Sequence, residues 1–515
     1  MNSFLNVLKD NTDFTYTENG AVTRTTTKSD LLDMFALGAA MRNRSDSDCI
    51  LMFRKAFEEN PVYALKCLFY LRDVRGGQGE RRFFKVCMKD LALTNTEAAR
   101  RNLKLIPLYG RWDDLYLFIG TPLENEALDF MKWQLALDIH SKAPSLLAKW
   151  IKSENTSSFE SRKLARITRE YFGMSHKQYR KVLSMLRERI NIVERLMSEN
   201  RWDEIEFDKI PSRAGMIYKN AFARHDIERM KNEAVQSYAD FAKDATKTVN
   251  AKTLYPYECV DAAFKVIDKH RTWSRHQKGL DLALDNTERL MVNKYWENLE
   301  NYFKDASFEG LAVVDVSGSM FGCSASAPIN VAVSLGLYCA DKAKGPFANH
   351  FITFSERPQL VKSEGVDFCD KVYRMSEADW GMNTNIEAVF DLLLNTALNS
   401  NCSQNDIPKN IIIISDMEFD ACVRDRSPWG SRSIHDKETL FEGIKRKWRA
   451  HGLDMPKLTF WNVDARSNNI PMRDDGYVNY VSGMSPTIFE QIMKGLSAYD
   501  LMMDKLNDAR YELIK

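Results

Sequence analysis

The stretch LAVVDVSGSM (residues 311–320) begins as an apolar, mostly β-branched run and ends in small, oxygen-bearing residues. A short continuous apolar run is typical of a strand that is buried on both faces of a parallel sheet. Asp315, Ser317 and Ser319 follow at alternate positions. The sequence therefore predicts a buried strand that brings one carboxylate and two hydroxyls to its carboxyl end.

Similar runs recur downstream of residue 307, separated by segments with helical periodicity. HFITFS (350–355), NIIIISDM (410–417) and KLTFWNVDA (457–465) each predict another strand. Strands that alternate with helices predict a parallel sheet covered on both faces. We therefore expect a Rossmann-like α/β domain over residues 307–515, with its ligand site at the carboxyl ends of the strands.

Two further polar residues are expected at the same edge of this sheet. Thr384 precedes a predicted helix, and Asp416 ends the predicted strand that contains four consecutive isoleucines. Together with Asp315, Ser317 and Ser319 they form an all-oxygen set, which suits Mg²⁺ or another hard divalent cation. The alternative is that the Ser and Asp residues only cap a turn between strand and helix.

This arrangement resembles the von Willebrand factor A domain and its metal-ion-dependent adhesion site. The resemblance covers about residues 307–500, with Asp315, Ser317 and Ser319 matching the DxSxS motif, Thr384 the second loop and Asp416 the third. It implies a Mg²⁺ site whose open position accepts a partner's carboxylate. GxSxG is absent, so no nucleophile elbow is expected. We expect no enzymatic activity.

Residues 1–306 contrast with this domain because amphipathic helical patterns follow one another there almost without strand-like alternation. SDLLDMFALGAAMRN, from residue 29, opens with a Ser-Asp cap and continues at helical spacing. Such a succession predicts a stacked, HEAT-like helical repeat region, although no clean repeat period is visible.

Positive charge is concentrated in one part of the helical region. The formal net charge is only +1, yet residues 161–195 contain ten Lys or Arg against three Glu. Such local excess is typical of nucleic-acid binding, and Tyr171, Phe172 and Tyr179 are interleaved where they could stack on bases. The alternative is an ordinary charged helix face.

A second basic feature is the glycine-rich loop within LRDVRGGQGERRFF (71–84). A glycine-rich loop that leads into a helix can bind phosphate through its backbone amides. No Lys-Ser or Lys-Thr follows the last glycine, so the loop is not a Walker A motif. A helix C-cap at Gly76 or Gly77 followed by a solvated basic face is an equal alternative.

LRDVRGGQGERR, YGRWDDL, LAKW and MSHKQYRKVLSMLRERINIVE occur in this order before the α/β domain. This layout resembles a family of helical-plus-von-Willebrand proteins from phages, large viruses and eukaryotes, which is similar to the Ro autoantigen, or TROVE, ribonucleoproteins. In Ro proteins a ring of helical repeats binds RNA. The resemblance implies RNA contacts by Arg72, Arg75, Arg81, Arg82, Lys149, His176, Lys177, Arg180, Lys181 and Arg187.

The resemblance to Ro proteins, supported by the local positive charge, implies a non-enzymatic protein that binds small or misfolded noncoding RNA. A metal-dependent protein-interaction scaffold without RNA is the alternative. A two-metal nuclease is disfavoured because Asp315 and Asp416 alone offer too few bridging carboxylates. The nine cysteines are scattered and form no CxxC pair. We see no signal peptide and no long apolar span. We therefore expect a cytoplasmic protein that does not associate with membranes. We expect a monomer.

Overall fold

The computed structural model describes residues 13–270, 282–304, 307–321, 328–354, 357–376, 384–421, 438–473 and 476–515. It contains a helical region followed by an α/β domain, which confirms the predicted order of the two parts. A small antiparallel hairpin of β1 (Phe14–Tyr16) and β2 (Val22–Arg24) precedes the first helix.

Helices dominate the described residues before position 307, and polar caps fix several of their starts. Ser29 accepts a hydrogen bond from the backbone of Leu32, and Ser175 forms a capping box with Gln178. The helices are α1 (Asp30–Leu37), α2 (Asp46–Glu59), α3 (Pro61–Arg72), α4 (Arg82–Thr94), α5 (Thr96–Asn102), α6 (Ile106–Tyr109), α7 (Glu124–His140), α8 (Leu147–Trp150), α9 (Phe159–Tyr171), α10 (His176–Arg189), α11 (Val193–Ser198), α12 (Ser212–Arg224), α13 (Asp226–Arg229), α14 (Tyr238–Lys243), α15 (Pro256–His270) and α16 (Thr287–Glu297).

The sheet of the α/β domain has the order β5-β4-β3-β6-β7-β8. Its strands are β3 (Gly310–Asp315), β4 (His350–Phe354), β5 (Gln359–Lys362), β6 (Asn410–Ser415), β7 (Lys457–Asn462) and β8 (Val478–Ser482). Every residue of β3 is buried, as its apolar run predicts for a central strand. The expected parallel arrangement needs one correction, because the edge strand β5 pairs antiparallel with β4. The sheet is therefore mixed.

Helices from both parts of the chain cover this sheet. The α/β domain contributes α17 (Pro328–Lys342), α18 (Phe368–Ser376), α19 (Ile386–Asn399), α20 (Leu440–Ala450), α21 (Phe489–Ile492) and α22 (Ala498–Leu506). From the helical region, α1 packs against β8 and α15 packs against α17 and α18. The helical region therefore contacts the α/β domain near both of its own ends, and the two share a continuous apolar core.

The glycine-rich loop is built into this contact. The backbone amides of Gln78, Gly79 and Glu80 donate to carbonyls of residues 70, 73 and 71 at 3.2, 3.1 and 2.7 Å. The hydroxyl of Thr487, in the α/β domain, donates to the carbonyl of Gly77 at 3.3 Å. These three amides are therefore not free to bind a phosphate, and the structure favours the alternative of a packed helix end over a phosphate-binding loop.

Two glycines of this loop are required because a side chain at either position would collide with neighbouring atoms. A Cβ on Gly77 would lie 1.9 Å from the carbonyl oxygen of Tyr70, and one on Gly79 would lie 1.8 Å from the hydroxyl of Tyr255. Gly79 also has a φ of +65°, a conformation that residues with a side chain rarely adopt. The GGQG motif is thus explained by close packing between α3, α15 and the α/β domain.

The side chain of Arg72, at the end of α3, is also enclosed within the protein. Its side chain is only 2% exposed, and Nη2 donates to Oδ2 of the buried Asp114 at 2.6 Å. Arg81 also pairs with Asp114, through Nε at 2.9 Å. Although burial opposes ionisation, these cations hold the pKa of Asp114 below its usual value. The expected RNA contact by Arg72 is therefore corrected: its guanidinium is enclosed within the protein.

Asp114→Ala should destabilise the fold by about 3–5 kcal/mol, because it leaves the Arg72 charge buried without its partner. The measurement is denaturant-induced unfolding followed by circular dichroism. Arg100→Ala, which removes an exposed ion pair with Glu126, is the matched control and should leave the transition unchanged. Equal midpoints for the two variants would contradict the structural role of the pair.

Gly77→Ala should also reduce the yield and thermal stability of the protein, since the added methyl group would collide with backbone. Gly443→Ala is the control, because a Cβ there meets no atom closer than the Glu438 carboxylate at 3.6 Å. The difference in melting temperature between the two variants checks the prediction. A Gly77→Ala protein as stable as the control would mean that the loop repacks freely.

Candidate functional site

Two acidic residues lie at the carboxyl ends of the neighbouring parallel strands β3 and β6. Asp315 is the last residue of β3, and Asp416 directly follows β6. The chain places β4 on one side of β3 and β6 on the other, and ligands bind α/β sheets at such a reversal. Both carboxylates are buried. The structure thus brings the two predicted acids to one edge of the sheet.

Asp315 is held by polar groups from both strand ends. The backbone amide of Ser317 donates to its Oδ1 at 2.9 Å, and the hydroxyl of Ser415 donates to its Oδ2 at 2.5 Å. Burial, together with the negative charge of Asp416, raises the pKa of Asp315 to about 7. A cation at this edge would favour the charged form of Asp315.

The three predicted hydroxyl ligands lie in two groups. The hydroxyl oxygens of Ser317 and Ser319 are 3.1 Å apart, at the start of the short 3₁₀ helix Gly318–Phe321. Thr384 lies two residues before α19, and its hydroxyl donates to Oδ1 of Asp420 at 2.8 Å. Thr384 is thereby attached to the loop that follows Asp416.

Two residues of this edge were not identified from the sequence. Arg466, in the loop after β7, donates from Nη2 to Oδ2 of Asp416 at 2.6 Å. Glu418 is buried, and burial raises its pKa; its Oε1 accepts a hydrogen bond from Ser467 at 2.7 Å. The edge therefore carries more negative charge than predicted, and a protein cation already neutralises part of it.

The turn between β1 and β2 covers the same edge. Asn19 donates from Nδ2 to the hydroxyl of Thr384 at 2.8 Å and to the carbonyl of Glu418 at 2.6 Å. Glu18 accepts from Nη1 of Arg466 at 2.7 Å. The sequence signal for this hairpin is the Asn19-Gly20 pair between residues of high strand propensity, a pattern that favours a tight turn.

The donor set fits a hard cation in its chemistry. It offers two buried carboxylates and three hydroxyls, the oxygen ligands that Mg²⁺ prefers. Within the described ranges, no three side chains of the His, Cys, Asp and Glu types form a metal-binding group. A cation here would therefore depend on the serine and threonine oxygens as well as on Asp315 and Asp416.

A second candidate site lies in the helical region, between α9, α10 and α11. It is a groove of about 790 Å³, which we name the basic groove. Its basic lining residues are Arg162, Arg166, His176, Lys177, Arg180, Arg187 and Arg195, and its acidic ones are Glu154, Glu194 and Glu199. Positive charge is in excess along its walls.

The predicted RNA-binding residues of α10 differ in how available they are. Lys177, Arg180 and Lys181 are exposed, and among the described residues they have no hydrogen-bond or ion-pair partner. Arg166 of α9 has the same character. A cation without an internal partner can accept a phosphate at low cost. Arg166, Lys177 and Arg180 line the basic groove, and Lys181 lies beside them on α10.

Other predicted contacts already have partners. His176 is exposed, but its Nδ1 lies 2.7 Å from the carboxylate of Glu154. Nζ of Lys149 lies 3.7 Å from Glu194, and Arg187 donates from Nε to a carbonyl of α8 at 2.8 Å. Arg187 is partly buried, and burial lowers its pKa. His176 and Arg187 line the basic groove, but each already has a protein partner, and Lys149 does not line it.

The arginines of the glycine-rich loop do not join this groove. Arg75 donates to a backbone carbonyl at 3.1 Å, Arg81 pairs with the buried Asp113 and Asp114, and Arg82 pairs with Asp46. None of them lines the basic groove as the described residues define it. The structure therefore separates two basic clusters that the sequence analysis had combined.

The expected stacking aromatics also need a correction. Phe172 and Tyr179 are buried, and the hydroxyl of Tyr179 donates to the carbonyl of Lys152 at 2.7 Å. They anchor α9 and α10 to the helical core, so neither presents a ring face to a base. Tyr171 is only partly buried, but it packs against the same core.

Comparison with known proteins follows the two structural parts. The domain of unknown function DUF2828 matches residues 17–122 and 134–307, and the domain of unknown function DUF7788 matches residues 309–510. The uncharacterized protein L728 of Acanthamoeba polyphaga mimivirus is 30% identical over 517 residues, covering 93% of this chain and 84% of that protein. In the described ranges, no helix is long and apolar enough to span a membrane. Because its match to DUF2828 spans more than half of its residues, the chain belongs to the DUF2828 family.

Proposed function

We propose that the protein is a non-enzymatic RNA-binding protein of the cytoplasm that acts as a monomer and contacts small or misfolded noncoding RNA through the basic groove. The observation that carries this proposal is the set of exposed cations without internal partners on α9 and α10: Arg166, Lys177, Arg180 and Lys181. Uncompensated positive charge along a groove attracts a phosphate backbone. The burial of Phe172 and Tyr179 favours recognition of phosphates over stacking on bases.

We further propose that the α/β domain is of the von Willebrand factor A type and that its strand edge holds Mg²⁺. Asp315, Ser317, Ser319, Thr384 and Asp416 would hold the ion, and the ion would supply an open position for a partner's carboxylate. Support comes from the convergence of Asp315 with Ser317 and Ser319 and from the mutual repulsion of the two buried acids. Ser415 holds Asp315 in place for this role.

A second function is a protein-interaction scaffold that works only through the strand edge with Asp315 and Asp416, which we name the metal edge. A separate observation favours it. The oxygen-rich edge lies in the α/β domain, whereas the residues that line the basic groove all belong to the helical region. The two sites can therefore be tested independently. Loss of one need not affect the other.

A Lys177→Ala/Arg180→Ala/Lys181→Ala variant should bind RNA at least about tenfold more weakly than the wild type. The probe is a labelled structured RNA with a single-stranded tail, measured by fluorescence anisotropy at about 50 and 200 mM salt. Removing three phosphate contacts should also reduce the slope of log affinity against log salt by about two.

Lys55→Ala/Lys89→Ala/Lys104→Ala removes the same charge from exposed lysines outside the basic groove and serves as the matched control. Equal loss in both variants would mean that only net charge matters. No wild-type binding at 50 mM salt would reject the RNA proposal and leave the scaffold function in its place.

Asp315→Asn and Ser317→Ala should each weaken Mn²⁺ or Mg²⁺ binding by at least about tenfold, because both remove oxygen ligands or their orientation. Isothermal titration calorimetry on the purified protein is the measurement. Asp391→Asn, which alters a carboxylate on α19 paired with Lys447, should bind the cation like the wild type.

The same variants test the absence of catalysis. RNA incubated with Mg²⁺ and the wild-type protein should remain intact. Cleavage that disappears in Asp315→Asn would instead indicate a metal-dependent nuclease. RNA affinity that is unchanged by Mg²⁺ would agree with separate roles for the basic groove and the metal edge.

A further inference from the structure

The hairpin of β1 and β2 is held against the metal edge by contacts between residues at least 402 positions apart in the sequence. Arg24 of β2 exchanges two backbone hydrogen bonds with Ile470, at 3.0 and 2.8 Å. In the turn, the hydroxyl of Thr17 donates to the carbonyl of Phe419 at 2.6 Å. The turn is therefore held against the loops that follow β6 and β7, which are the loops that carry Asp416 and Arg466.

Two of the five proposed metal ligands are engaged by this turn. Asn19 donates to the hydroxyl of Thr384 directly, at 2.8 Å. Glu18 reaches Asp416 through Arg466, whose two terminal nitrogens lie 2.7 Å from Glu18 and 2.6 Å from Asp416. The other carboxylate oxygen of Asp416 accepts the backbone amide of Glu418 at 3.2 Å. Both oxygens of Asp416 are thus occupied by protein donors.

From these contacts we propose that Glu18, Asn19 and Arg466 form an intramolecular latch that occupies the metal edge in competition with a divalent cation and its external ligand. The inference rests on the proposed cation site. Arg466 supplies the positive charge that the buried Asp416 requires when no metal is present. The same oxygen cannot accept Arg466 and bind a cation without rearrangement, so the two states exclude each other.

The side chains of the latch also indicate which kind of external partner could displace the turn. Glu18 and Asn19 present a carboxylate and an amide on neighbouring residues of an extended hairpin turn, and both are exposed at the surface. An external partner must therefore displace this turn. The chemistry that fits is an acidic peptide segment, which would present its own carboxylate where Glu18 now lies.

Cation binding by latch variants tests the proposal. Arg466→Ala should bind Mn²⁺ at least about fivefold more tightly than the wild type in isothermal titration calorimetry, since coupling between competing states is typically of this size. Asn19→Ala should gain about twofold to tenfold, the equivalent of one lost hydrogen bond. Asn19→Ala changes no charge, so its gain reports the latch contact and not the local electric field.

One control and one further latch variant complete the test. Arg446→Ala removes an arginine of the same domain that pairs with Glu438, so it tests the effect of net charge alone. Glu18→Gln keeps the size of an exposed side chain and covers the case in which Arg466→Ala does not fold. Hydrogen exchange of residues 13–24, measured by mass spectrometry, should increase when Mn²⁺ is added to the wild type.

The outcomes distinguish the latch from the metal site itself. Tighter binding in the latch variants but not in Arg446→Ala, with faster exchange in the hairpin, supports the proposal. Equal affinities, or weaker binding in Asn19→Ala, would overturn the latch while keeping the metal site. No cation binding in any variant would remove the proposed metal site and the latch with it.

Discussion

The buried pair of Arg72 and Asp114 is the interaction on which the rest of the structure depends. Each charge is tolerable in the interior only because the other is within hydrogen-bond distance. The pair fixes the end of α3 against the 3₁₀ helix Trp112–Phe118. The glycine-rich loop then leaves α3 in a single direction and meets both α15 and the α/β domain. The pair thus supports the loop through which α3 contacts the α/β domain.

The position of Asp315 and Asp416 depends on a different constraint, which is sheet topology. Two acids that are about a hundred residues apart in the sequence come together because β3 and β6 are adjacent and parallel. Their mutual repulsion is the consequence of a buried edge, and the protein offsets it with hydroxyls, backbone amides and Arg466.

Much of this architecture could be predicted from local patterns. The apolar runs at 311–317, 350–355, 410–417 and 457–465 correspond to β3, β4, β6 and β7. The DxSxS residues lie where the strand pattern put them. The docking of the hairpin turn, the pairing of Arg466 and the burial of Arg72 could not be predicted in this way, because each is determined by a partner between about 40 and 450 residues away. The count of charged residues identified the basic segment 161–195, which contributes to the basic groove, but it could not distinguish exposed cations from paired ones.

The contact between Asp73 and the distant Arg510 and Tyr511 also has a consequence for how the protein is made. These partners are separated by 437 and 438 residues. At 5–20 residues per second, translation takes roughly 20 to 90 seconds to cover that distance. Throughout this time the Asp73 carboxylate lacks its final partners, and the inner face of the glycine-rich loop stays open. The contacts between the glycine-rich loop and the C-terminal residues can therefore form only after the α/β domain has been synthesised.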